Sequence, residues 1–301
     1  MKSEVKKLVD RIPYIRRLKE ELKRYRTFYP PGHFYSPVPD IEKIKTIQDR
    51  VFAIPGKDIP GIDLREDDQM RLLDQLKTYY GDLPFGEEPR QGKRYHLRND
   101  MYYYSDAIFL YLMIRHFTPG RIIEIGSGYS SAVMLDTNDS LGRSVDITFV
   151  EPYPDRLMGL LSDADKANPR LRLIARDIQE LDLDQFGSLE ANDILFVDSS
   201  HIVKTHSDVN YILFNILPTL RTGVLIHFHD IFFPFEYPKE WIFKGRVYNE
   251  GYFLRAFLQY NDAFRIAAFN SFLNTYHGDW FEKHMPFCTT GNQSIWIQKV
   301  A

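Results

Sequence analysis

The sequence predicts an α/β fold, an open and mostly parallel sheet wound with helices on both faces, and three observations carry that expectation. Short apolar runs at 121–125, 145–150, 171–175, 193–198 and 223–229 alternate with helical segments near 130–138, 155–165, 178–183 and 204–217, which is the spacing of βαβ units. The first run, with Ile122, Ile123 and Ile125, breaks into the turn Gly126-Ser127-Gly128, where glycine lets the chain bend sharply out of a strand. The first four strands also end in or beside acids: Glu124, Glu151, Asp177 and Asp198. In an open α/β sheet the ligand crevice lies beyond the carboxyl ends of the strands, so these four acids share one rim.

The remaining elements follow in chain order. Residues 3–26 space Val5, Leu8, Val9, Ile12, Ile15, Leu18 and Leu22 at intervals of three and four, giving a helix with one apolar stripe that Pro13 interrupts. Residues 29–63 are rich in proline and glycine and read as connecting chain. A polar helix is expected over 66–80 and a loop from Gly81 to Gly92. Ser105 and Asp106 are expected to cap an apolar helix, Ala107 to Phe117, that stops before Pro119-Gly120. Ser130 is expected to cap the helix behind the glycine turn. Beyond the fifth strand, a helix at about 250–260 precedes two further strands, Phe264 to Asn270 and Ser294 to Val300, separated by an irregular stretch. This divides the chain into an extension, 1–99, and a ligand-binding domain, 100–301.

Composition narrows the class. At 301 residues, 44% of them hydrophobic, the chain can bury a full core. The net charge of −3 hides an asymmetry: residues 1–26 carry ten Lys/Arg against four Asp/Glu, and the rest carries 28 against 37. An acidic body argues against nucleic acid held by bulk charge. Cys288 is the only cysteine, so no internal disulfide forms and a reducing compartment fits. No apolar run approaches ~18 residues and the basic N-terminus lacks a signal-peptide core, so neither a membrane span nor secretion is expected, and the cytoplasm is. The basic helix reads as a solvated element packing on the body or on a second copy of the chain, a homo-oligomer; a membrane-surface role stays open.

The motifs discriminate between ligands. A glycine turn after a strand is common to dinucleotide oxidoreductases and methyltransferases, but Glu124 here precedes the first glycine by two. The dinucleotide fingerprint would also put Gly or Ala where Ser131 stands. Glu151, at the end of the second strand, can accept hydrogen bonds from both ribose hydroxyls of an adenosine. Arg176-Asp177-Ile178 and Asp198-Ser199-Ser200-His201 follow the third and fourth strands. An acidic rim opposes two phosphates and favours the sulfonium and ammonium of S-adenosylmethionine.

Val197-Asp198-Ser199-Ser200-His201, and His229-Asp230 at the end of Gly223 to Asp230, complete a pattern that resembles the class I S-adenosylmethionine-dependent methyltransferases over roughly residues 100–300. Within them it is similar to the branch of metal-dependent O-methyltransferases acting on sugars and catechols. The resemblance implies a Rossmann-like seven-stranded sheet whose last two strands form an antiparallel hairpin. It also implies that Glu124, Gly126, Ser127, Gly128 and Ser130 hold the methionine part of the cofactor, Glu151 the ribose, and Asp177 with Ile178 the adenine, with Asp198 beside them. Ser130 stands where the family turn has its third glycine. A Mg²⁺ ion or another divalent cation would sit on Asp198, His229 and Asp230, where it could lower the pKa of an acceptor hydroxyl and position it. A histidine ligand departs from the oxygen preference of Mg²⁺, which leaves open a metal-free site or one with Mn²⁺, Fe²⁺ or Zn²⁺.

His201, His229, Asp198 and Asp230 are the expected catalytic residues, with a histidine able to act as general base. His227, two residues from His229 on a strand, shares its face and is expected in the core. The aromatic residues between 231 and 249 suit either a substrate-facing lid or packing. The expected activity is S-adenosylmethionine-dependent O-methylation of a small hydroxylated acceptor, a sugar or natural product. Two alternatives stand beside it: a non-catalytic interaction protein built on the same fold, and, ranked below that, a nicotinamide-dependent oxidoreductase.

Overall fold

The computed structural model describes residues 12–24, 27–54 and 56–301. They fall into two compact units. The larger comprises residues 54–237 and 248–301, and the smaller the residues up to 53 together with 238–247.

The larger unit is built on seven strands: β1 (Arg121–Ile125), β2 (Asp146–Val150), β3 (Leu171–Ile174), β4 (Ile194–Val197), β5 (Leu225–His229), β6 (Phe264–Phe269) and β7 (Ser294–Lys299). Their order across the sheet is β3-β2-β1-β4-β5-β7-β6. The first five pair in parallel, and β7 runs antiparallel to both neighbours, β5 and β6. This is the doubly wound α/β sheet that the strand spacing predicts. The late pair is antiparallel, as expected, but the helix Asn270–His284 joins its strands in place of the expected irregular stretch. His277 in that helix has non-helical backbone angles, φ −131° and ψ 31°, and Gly278 follows, so the apolar period that would announce a helix is broken midway.

The core lies on both faces of the central strands. Every residue of β4 and β5 is buried, which is why β4 reads as a continuous apolar run and β5 as one broken only by His227 and His229. The helix Ser105–Phe117 buries ten consecutive residues, Ser105 to Ile114, and packs on the helix Tyr129–Ser140. A helix covered all round needs no polar face, and each fully buried Leu, Ile or Phe contributes about 1.5–3 kcal/mol. Neither expected serine cap forms. Ser105 and Asp106 already lie inside the first helix, and Ser130 lies inside the second, where Gly128 N–H donates to Ser131 Oγ instead (3.0 Å). Residues 56–99 pack within this unit through buried side chains such as Leu73, Leu76 and Phe85 and through an ion cluster in which Arg94 bonds Asp136 (2.8 Å), Asp139 (2.7 Å) and Asp165 (2.5 Å).

The expected helix over 204–217 starts later, at Asp208, with Ser207 Oγ accepting from Asn210 N–H (3.2 Å). His201 and His206 both have φ +60°, a left-handed backbone that no helix accommodates. Residues 199–206 are therefore a loop over the ends of the strands.

In the smaller unit, Pro13 opens the helix Pro13–Arg24, as its fixed φ favours; the part of the N-terminal stripe before residue 12 lies outside the described residues. Two short helices, Ile41–Thr46 and Lys239–Phe243, pack together, with Lys45 Nζ 5.9 Å from the Phe243 ring. No helix among the described residues is long and apolar enough to cross a membrane.

Candidate functional site

The parallel ladders continue one residue past the strands and bring their ends together. Gly126 N–H donates to Val150 O (3.0 Å), Glu151 N–H to Ile174 O (3.1 Å) and Asp198 N–H to Ile125 O (2.9 Å). Gly126 has φ +81°, and a Cβ there would stand 1.7 Å from the main-chain oxygen of Asp198. The glycine is thus required by the close approach of the β4 terminus, and not only by any ligand.

Beyond these ends opens a cleft of about 520 Å³ lined by Gly126, Glu151, Tyr153, Asp177, Ile178, Asp198, Lys204 and His206, among others. The Glu151 carboxylate is held in place by main-chain donors, Ser127 N–H (3.2 Å) and Tyr153 N–H (2.9 Å). Gln179 Nε2 donates to His206 O (2.9 Å), which ties the far wall of the cleft to the 199–206 loop.

Five of the expected cofactor residues, Gly126, Glu151, Asp177, Ile178 and Asp198, line this cleft. Glu124 does not. It is fully buried, and its carboxyl group receives hydrogen bonds from Ser130 Oγ (2.5 Å) and Ser131 Oγ. Burial pushes its pKa up to about 8, against the pull of the two serines and with the Asp198 charge adding to the rise. Glu124 and Ser130 hold the glycine turn from beneath, and the main-chain N–H groups of Ser127 and Gly128 are engaged by Glu151 and Ser131.

Next to the cleft, the four expected catalytic residues meet. His201 Nε2 lies 3.4 Å from Asp198 Oδ1 and 3.4 Å from Asp230 Oδ2, and His229 Nε2 lies 3.6 Å from Asp230 Oδ1. His201 and Asp230 both have left-handed backbones, φ +60° and +56°, strain that concentrates at functional positions. Burial alone would lower the pKa of His201, but the hydrogen bonds to Asp198 and Glu250 and the charges of Glu250 and Asp230 outweigh it and raise the value well above normal. His229 follows the same balance, burial opposing and Asp198, Asp230 and Asp106 prevailing. The Asp198 carboxyl is held low, burial being overcome by His229 and His201. Both histidines thus favour their protonated forms beside carboxylates. His227 lies in the core, as expected, stacked on Phe196 at 4.1 Å; burial and the charge of His229 keep it neutral.

Whether these residues would take a divalent cation is decided by what stands between the acids. The His201 ring occupies that place. Among the described residues, no group of three or more His, Cys, Asp or Glu stands in an arrangement that would hold a metal ion. As arranged, Asp198, His229 and Asp230 do not fit a metal.

Three contributors were not singled out as site residues in the sequence. Glu250, 1% exposed, bonds His201 Nδ1 through Oε2 at 2.8 Å. The Tyr248 ring lies 4.8 Å from that of His201. Asp106, expected as a cap, bonds Ser294 Oγ (2.7 Å) and Gln293 N–H (3.1 Å), and burial pushes its pKa up to about 6. Glu250 and Asp106 carry the ordinary mark of an acid in a helix's first turn, so no local signal separates them from a dipole partner. Of the aromatic segment, Phe233, Phe235 and Tyr237 are buried, Phe233 against Phe272 at 5.3 Å.

A family profile described as a methyltransferase domain matches residues 123–231. An uncharacterized protein of Archaeoglobus fulgidus is 32% identical over 172 residues, covering 55% of this chain and 76% of that one. Among solved structures, an O-methyltransferase from Streptomyces achromogenes involved in tomaymycin synthesis, in complex with S-adenosylmethionine, is 13% identical, with 86% and 96% of the two chains covered and a TM-score of 0.42. An O-methyltransferase from Bacillus cereus in complex with S-adenosylhomocysteine is 12% identical, with 87% and 100% covered and a TM-score of 0.41.

Proposed function

We propose that the chain, which carries a stretch matching a methyltransferase domain, is a class I S-adenosylmethionine-dependent methyltransferase that methylates a hydroxyl oxygen of a small acceptor, a sugar or natural product, without a metal. The observation that carries this reading is the position of Asp198. It lines the cleft and also touches the His201–Asp230 pair, so a cofactor site and a set of proton-handling groups share one residue.

S-adenosylmethionine, when bound, supplies a methyl group on a sulfonium. Glu151 is suited to the ribose hydroxyls, with Asp177 and Ile178 beside the adenine and the main chain of Gly126 to Gly128 toward the methionine part. Glu124 and Ser130 act from beneath the turn, keeping its curvature. In the transfer, an acceptor oxygen attacks the methyl carbon, the carbon–sulfur bond breaks, and the hydroxyl proton has to leave. His201, already protonated, cannot receive it. In this reading Asp230 does, and the positive charges of His201 and His229 beside it stabilise the negative charge that develops on the acceptor oxygen as the proton leaves. Asp198 keeps the negative potential that favours a sulfonium.

Calorimetry with S-adenosylhomocysteine, followed by transfer of a labelled methyl group to a panel of sugars and phenols, tests the proposal. Binding together with product labelled at oxygen is the expected result. No heat at millimolar S-adenosylhomocysteine would end it, and a product methylated at nitrogen or carbon would end the O-specific part.

A further inference from the structure

One buried acid near the site is left without a task by the proposed mechanism. Glu250 opens the helix Glu250–Leu258, is 1% exposed, and its Oε1 has no hydrogen-bond partner among the described residues. A carboxylate taken out of water is costly unless a partner offsets the lost hydration. Here that partner is the His201 imidazole, through Oε2 and Nδ1 at 2.8 Å. The main chain makes the same junction: the N–H groups of Asn249 and Glu250 donate to His201 O (3.1 and 3.2 Å). The Asn249 side chain adds to it, accepting from Val203 N–H (2.6 Å) and donating to Val203 O (3.2 Å). The start of one helix is thereby fastened to the loop that carries His201, at the residue whose backbone is left-handed.

We infer that Glu250 is a positioning residue, holding His201 by Nδ1 so that Nε2 is the nitrogen presented to Asp198, Asp230 and the acceptor. An imidazole has two nitrogens, and which one faces the reacting atoms is set by what the other one bonds. With Nδ1–H fixed on Glu250, the ring cannot flip, and the 3.4 Å approaches of Nε2 to the two aspartates are kept. The inference rests on the methyl-transfer reading of the same site, and its experiment separates the two.

Histidine-labelled wild-type protein and the variants Glu250→Leu, Glu250→Gln and His201→Asn are compared by NMR, with S-adenosylhomocysteine calorimetry on each. Leucine keeps most of the volume and removes the acceptor, whereas glutamine retains an amide oxygen. A protected, far-downfield Nδ1 proton assigned to His201 is expected in the wild type, retained in weakened form in Glu250→Gln and absent from Glu250→Leu. S-adenosylhomocysteine affinity should stay within about twofold in both Glu250 variants, while kcat with any acceptor turned over falls on the order of 10²-fold in Glu250→Leu, the usual cost of a misplaced group. Persistence of the proton in Glu250→Leu, its absence from the wild type, or a parallel loss of S-adenosylhomocysteine binding in Glu250→Leu overturns the inference. Failure of the wild type itself to bind S-adenosylhomocysteine instead sinks the methyl-transfer reading, and the ring-proton comparison still decides the role of Glu250.

Discussion

Replacing Glu124 by glutamine should remove a pH dependence from the stability of the fold. The Glu124 carboxyl is fully buried and titrates at about 8 in place of an ordinary 4.5. Each pH unit of displacement corresponds to 1.36 kcal/mol, so keeping this group ionised costs about 5 kcal/mol as an order of magnitude. Below pH 4.5 the native and unfolded chains both hold the proton and the residue is neutral for stability. Between 4.5 and 8 the native chain holds a proton that the unfolded chain has released, and stability falls by about 1.4 kcal/mol per pH unit. Above 8 both have lost it and the full cost remains. Glutamine keeps the shape and a carbonyl acceptor for one serine. Urea unfolding of both proteins between pH 5 and 9 is the assay. His201, also raised, adds its own loss of stability as pH climbs, but it is present in both proteins, so the difference isolates Glu124. The wild type should lose ground steadily to Glu124→Gln from pH 5 to 8, and parallel curves would refute the reasoning.

Other outcomes are equally specific. Glu151→Ala should weaken S-adenosylhomocysteine roughly 10-fold or more by calorimetry, the contribution of a hydrogen bond to a charged group, with the melting temperature little changed. Gly126→Ala should cost roughly 3 kcal/mol or more in chemical denaturation, because its Cβ meets the Asp198 oxygen at 1.7 Å on a backbone with φ +81°; a well-folded Ala variant would contradict the contact. Chelation with EDTA should leave both S-adenosylhomocysteine affinity and transfer intact, and added Mn²⁺ should not raise the melting temperature. A Mn²⁺-dependent increase in either would show that the His201 ring yields its place.

How much of this was legible in the sequence differed between the two halves of the sheet. The strands β1, β4 and β5 announce themselves because nearly all their residues are buried and a turn follows each, whereas the edge strand β3, with only Ile174 buried, is read from its place in the βαβ spacing. The acids at 151, 177 and 198 were placed correctly on the rim because the rim follows from topology alone. What escaped depends on contacts between distant residues. The helix Asn270–His284 mixes Asn274, Thr275 and Asp279 with its aromatics and kinks at His277, and it is held by packing more than by local preference. The inward direction of Glu124 is set by Ser130 and Ser131 on the next element. Glu250 lies 49 residues from His201, and in the linear chain it is one more acid at a helix start.

The insertion of β7 between β5 and β6 bears on the order in which the protein can assemble. Strands β1 to β5 can pair as they emerge, but β5 keeps a bare edge, and β6 has no partner, until residues 294–299 are available. The register then sets His229 opposite Ser294, and Ser294 Oγ reaches back to Asp106. The cleft proposed for the cofactor, drawn from residues 125–208, can thus form early, whereas the acid–histidine cluster beside it waits on the last strand. On the proposed function, a chain stopped short of residue 294 would therefore keep a place for the methyl donor and lose the groups proposed to use it.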